Sequence, residues 1–125
     1  MFGWLKKTDK KPAGPDFSKV DTLAKAEALY QRGKLQKLLL MPLELGGQDV
    51  PLNVVYVPQS AFDMKRDVDL DTVRSMVEKQ QAIHYSADPE YEGNSFIPSA
   101  IRITATRPGN VTAIIKIWGK ALTRE

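Results

Sequence analysis

A single histidine, His84, stands in the run Ala82-Ile83-His84-Tyr85-Ser86-Ala87-Asp88-Pro89-Glu90-Tyr91-Glu92. An imidazole close in sequence to a hydroxyl and carboxylates is the raw material of a small hydrolase or isomerase. In that reading His84 acts as general base, with Asp88 or Glu90 as its partner. The pattern is weak. A serine nucleophile is presented on a sharp Gly-x-Ser-x-Gly elbow, which the chain lacks. In a strand alternating from Ile83, His84 faces away from the core, as a solvated side chain does. One imidazole with loop acids is also a poor metal set. With no cysteine in the chain, disulfides, thiolate catalysis and Cys-based zinc sites fall away together. The expectation is a protein without a catalytic constellation, cofactor or metal.

Two further patterns resemble ligand sites and fail on geometry. Asp67, Asp69 and Asp71 at alternate positions, with Glu78 beyond, imitate a calcium loop. Thr72 stands where the loop needs glycine, Arg74 where it needs an apolar residue, and the segment carries a helical stripe. Acids near a helix N-terminus explain it more simply. Gly46-Gly47-Gln48-Asp49 lacks the spacing and lysine of a phosphate loop and reads as a turn.

The stretch 85–98 is the most suggestive. Tyr85, Tyr91 and Phe96 stand among Asp88, Glu90, Glu92 and Asn94. Tyrosine supplies contact area at low entropic cost and is enriched at interfaces, and long loops in small domains are often functional. Tyr85, Asp88, Glu90, Tyr91, Glu92 and Phe96 are therefore the expected binding residues.

Charge adds a second feature. The net charge of +3 arises in the first nineteen residues, where Lys6, Lys7, Lys10, Lys11 and Lys19 face only Asp9 and Asp16. Eighteen basic residues less those five, and fifteen acidic less those two, leave thirteen of each from Val20 onward. A nucleic-acid surface needs basic groups gathered on one face. Arg102, Arg107 and Lys116 near Trp118 meet only the minimum for charge plus stacking, so no nucleic acid is expected. Phe2, Trp4 and Leu5 beside Lys6 and Lys7 resemble an interfacial membrane or partner contact, within a basic tail over 1–17. No run approaches the roughly 18–20 apolar residues that span a bilayer. The short apolar start precedes its lysines, opposite to a secretory signal. A cytoplasmic location is expected.

The 125 residues suit one domain, here 18–125. Ser18 and Asp21 suggest a capping box, and Leu23, Ala26, Leu29 and Tyr30 recur at helical spacing up to Gly33, predicting a helix over about 19–32. A strand over 36–43 is limited to an edge or bulge by Pro42. Val54 to Val57 is a second strand, stopped by Pro58. Ser60 with Asp63 suggests a cap for a broken helix over 60–81, with Leu70, Val73, Met76 and Val77 as its apolar stripe. A third strand begins at Ile83, residues 87–98 are irregular, and two strands follow at about 99–106 and 111–118. Pro108-Gly109 favours a two-residue turn, but that register mixes faces. An odd-numbered connection sets Ile101, Ile103 and Ala105 with Val111, Ala113, Ile115 and Ile117, so a bulge is expected at this turn.

These elements predict an α+β domain in the order α-β-β-α-β-β-β. One largely antiparallel sheet of about five strands carries two helices on one face. The function expected of it is a non-enzymatic protein-interaction module that binds through 85–98 and the adjoining sheet. The His84 hydrolase or isomerase and a peripheral membrane protein using residues 1–11 are the alternatives. The last strand, as an edge, offers a route to a homodimer.

Overall fold

The computed structural model describes residues 15–80 and 84–123. Its architecture is α+β, with two antiparallel sheets of two and three strands. The single five-stranded sheet expected from the sequence is thus divided. β1 (Gln36–Leu39) pairs with β2 (Val54–Val57), and β3 (His84–Glu90), β4 (Ala100–Thr106) and β5 (Asn110–Lys116) form a meander. The first pair is only four residues long, and among the described residues no strand–strand ladder joins it to the second sheet. The two sheets meet through side chains instead. Leu38, Val55 and Val57 belong to one apolar cluster with Ile101, Ile103, Ala105 and Ile115.

Helix α1 (Leu23–Gln31) begins later than the capping pattern suggested. Thr22 is its cap, accepting a hydrogen bond from the Lys25 N–H at 3.1 Å. Asp16 instead takes the Ser18 N–H in a local turn. Gly33 follows with φ +74°, the left-handed residue expected past the helix end.

The second helical column departs further from expectation. α2 (Gln59–Asp67) starts directly after extended Pro58 with no side-chain cap, so neither Ser60 nor Asp63 caps it. It continues without a break through a π-helical segment, Val68–Val73, into α3 (Arg74–Glu78). Ala61, Lys65, Asp69 and Val73, four apart, are all buried. An α-helix of 3.6 residues per turn rotates such a row by roughly 40° per step. The wider i→i+5 turn, seen in the Arg74 N–H bond to the Asp69 carbonyl, offsets that drift and keeps the row inward. Within the expected stripe, Val73 and Met76 are buried whereas Val77 is exposed.

β3 runs through Glu90, so residues 87–90, expected to be irregular, are strand. Pro89 is tolerated because β3 is a sheet edge. The β4–β5 register pairs Ile101 with Ile115, Ile103 with Ala113 and Ala105 with Val111. Those apolar residues share one face, and the connection is the odd-numbered 107–109. No bulge is needed. The ladder is continuous from Ala100↔Lys116 to Thr106↔Asn110, and Arg107 in the three-residue connection is left-handed at φ +76°.

Candidate functional site

Strand alternation divides the larger sheet into two unlike faces. Tyr85, Ala87 and Pro89 register with Ala105, Ile103 and Ile101 and look toward the core. His84, Ser86, Asp88 and Glu90 lie on the other face with Thr106, Thr104 and Arg102, continued on β5 by Asn110, Thr112, Ile114 and Lys116. Among the described residues this second face is exposed or half-buried except at Ala100. Across it Arg102 faces the Glu90 carboxylate at 3.8 Å.

Beyond β3 the chain is irregular but fastened at several points. The Ser95 hydroxyl donates to the Phe17 carbonyl at 2.8 Å, and the Phe96 N–H donates to the Val20 carbonyl at 2.7 Å. The Trp118 indole N–H donates to the Ile97 carbonyl at 3.0 Å, and Ile97 and Pro98 are fully buried. Glu92 accepts the Lys120 N–H at 2.7 Å, and its carboxylate lies where a Gly119 side chain would sit. The anchors are therefore Ser95, Ile97, Pro98 and Glu92. Tyr91 and Phe96 remain about half exposed, at 49% and 46%.

The site residues expected from sequence thus separate. Asp88 and Glu90 lie on the open face, Tyr91 and Phe96 project from the fastened segment, Glu92 is tied to the C-terminal turn, and Tyr85 points inward. Phe2, Trp4, Leu5, Lys6 and Lys7 lie outside the described residues. Trp118 is buried against Phe17, ring centroids 6.1 Å apart, so it offers no stacking surface beside Arg102 and Lys116.

Tyr85 belongs to an arrangement that the sequence reading missed. Its hydroxyl donates to Asp69 Oδ1 at 2.7 Å, while Lys65 Nζ donates to Asp69 Oδ2 at 2.5 Å and to the Tyr85 oxygen at 3.0 Å. Lys65 and Asp69 are buried, so each polar atom must find its partner inside the protein. Burial pushes the Lys65 ammonium below the ordinary lysine value, against the opposing pull of Asp69. Burial, and then the bond to Asp69, hold the Tyr85 phenol far above its usual range. Asp69 is thus bonded to Lys65 and Tyr85 instead of capping a helix, and Asp67 to Asp71 lie on helix instead of a loop. The one available signal was a lysine four residues before an aspartate inside an otherwise buried row, a spacing common on solvated helices.

Two clefts flank this triad. One, about 650 Å³, is walled by Met41, Leu45, Val73 and Val77, with Gln80, His84 and Tyr85 along one side. The other, about 300 Å³, lies against Leu38, Pro42, Phe62 and Leu70 and reaches Asp69. His84 does line the larger cleft, but Asp88 and Glu90 do not. At about 3.3 Å per strand residue they are roughly 13 and 20 Å along β3 from it, far beyond the reach of a general base and its partner. Among the described residues, no group of three His, Cys, Asp or Glu side chains converges as a metal site. No described helix is long and apolar enough to cross a membrane.

Nothing among protein-family models, curated proteins or solved structures matches this chain.

Proposed function

We propose that the chain is a non-enzymatic protein-binding module whose contact surface is the open face of β3–β4–β5 together with the segment 91–98. One observation carries this reading. Tyr91 and Phe96 stand half exposed on backbone fastened at both ends, by Ser99 to Glu90 and by Ser95 to Phe17. Aromatic side chains on ordered backbone bind without a large ordering cost. Ile114, also exposed, extends the apolar part of the surface, and Asp88 and the Glu90–Arg102 pair supply polar edges that set orientation.

The test is capture of a partner from lysate by the full chain and by a Tyr91→Ala/Phe96→Ala/Ile114→Lys variant. Loss of a specifically retained protein, at an unchanged melting temperature, supports the reading. Equal capture by both proteins, or no specific capture by either, counts against it.

A further inference from the structure

The three-stranded sheet has two edges, β3 and β5, and their residues guard them unequally. The β4–β5 ladder is bounded at both ends by bonds between odd-numbered residues. The Ile117 N–H donates to the Ser99 carbonyl, and the Arg107 N–H donates to the Gly109 carbonyl, each at 2.8 Å. Antiparallel strands alternate bonded and non-bonded pairs. Ile101, Ile103 and Ala105 therefore exchange bonds with Ile115, Ala113 and Val111, while Asn110, Thr112, Ile114 and Lys116 turn their backbone N–H and C=O outward. At Asn110, Thr112 and Ile114 these groups have no hydrogen-bond partner among the described residues, and all three residues are exposed. No proline, acid or bulge interrupts β5. On β3 the same alternation turns Tyr85, Ala87 and Pro89 outward. Pro89 has no N–H to offer a further strand, and Asp88 and Glu90 add charge beside it. Devices of this kind block edge pairing, and β5 lacks them.

We infer that β5 pairs antiparallel with β5 of a second copy of the chain, about a two-fold axis at Ala113. In that register all seven residues of the strand overlap, and about eight backbone hydrogen bonds join the two copies. Thr112 lies opposite the partner's Ile114, and Asn110 lies opposite the partner's Lys116. Half-buried Val111 and Ala113 gain cover from the partner's Ile115 and the partner's Ala113. Lys116 is the one charged residue of β5, and the two lysines stay about 20 Å apart. A second copy suits this edge because overlap is complete, apolar residues meet apolar residues and like charges never face each other. The contact is isologous, and the guarded β3 edge stops assembly at two chains.

The test uses the full chain. Sedimentation velocity from about 1 μM to about 1 mM should show a reversible monomer–dimer equilibrium. As the dimer forms, amide exchange should slow at Thr112 and Ile114 and stay unchanged at Tyr85 and Ala87. Asn110→Lys sets like charges opposite at two symmetric places and should weaken the dimer about fivefold, whereas Asn110→Asp should tighten it by about the same factor. Thr112→Pro removes an N–H that the β4 ladder does not use. It should abolish dimerisation and keep the monomer's melting temperature. A chain that stays monomeric throughout, a dimer indifferent to both Asn110 variants, or an undiminished dimer of folded Thr112→Pro would overturn the assignment. So would Thr112 and Ile114 amides protected equally at every concentration, because another part of the same chain would then occupy the edge.

Discussion

The Lys65 ammonium and the Asp69 carboxylate form an ion pair at 2.5 Å with side chains only 1% and 6% exposed. It lies one helical turn apart, across the start of the π-helical segment. Bringing these two charges out of water is costly, and their mutual attraction with the Tyr85 hydroxyl offsets that cost. Removing one member leaves the other uncompensated. Asp69→Ala should therefore lose about 3–5 kcal/mol of stability in urea unfolding. The apolar set Lys65→Met/Asp69→Leu/Tyr85→Phe should recover most of it, and a triple variant as unstable as the single one contradicts this account.

Tyr85 also sets an alkaline limit. Its folded-state pKa is raised above the ordinary 10.0, so above about pH 10 the unfolded chain gives up the proton first and stability falls as pH rises. Tyr56, Tyr91 and Lys37, all raised as well, act in the same sense, whereas Lys65, lowered, acts in the opposite sense. The difference between wild type and Tyr85→Phe isolates Tyr85. Stability measured from pH 9 to 11 should fall less steeply in the variant, and parallel curves refute the assignment.

Gly47 and Gly33 should respond unequally to alanine. A Cβ at Gly47 would overlap the Met41 backbone carbonyl, which Asn53 already clamps through its amide at 2.9 Å. Gly33 has open space, and only its φ of +74° resists a side chain. Gly33→Ala should cost about 1–2 kcal/mol and Gly47→Ala about 3 kcal/mol, the upper end of ordinary substitutions. Chemical denaturation of both variants decides the order.

Calcium gives a fourth test. Asp69 is committed to Lys65 and Tyr85, and Asp67 and Asp71 lie on helix. Millimolar calcium should leave the melting temperature unchanged, because a ligand stabilises only the state it binds. An upward shift that grows with calcium would show a site that this geometry lacks.

The sequence disclosed the parts that depend on local pattern. Alternation of Ile101, Ile103 and Ala105 against Val111, Ala113 and Ile115 was enough to choose the register, because burying one face outweighs the preferred turn. The cap at Gly33 and the stop at Pro58 were equally readable. What escaped was set by distant contacts. The split into two sheets depends on how short β1 and β2 are. The extension of β3 through Pro89 depends on its being an edge. Sequence pattern makes Tyr85 an expected binding residue of 85–98, whereas the β3 register with Ala105 turns it inward to meet a lysine and an aspartate from another element.

The packing of Phe17 edge-on against Trp118 has a topological consequence. It brings together two positions a hundred residues apart in the chain. A short flexible linker from Thr123 to Pro15 could close the polypeptide into a ring, and new ends could be cut at the exposed tip between Pro108 and Gly109. Residues 107–109 belong to no strand, so the cut leaves the residues of every ladder intact, and a permutant that keeps the parent fold would show that the order of synthesis is separable from the shape built.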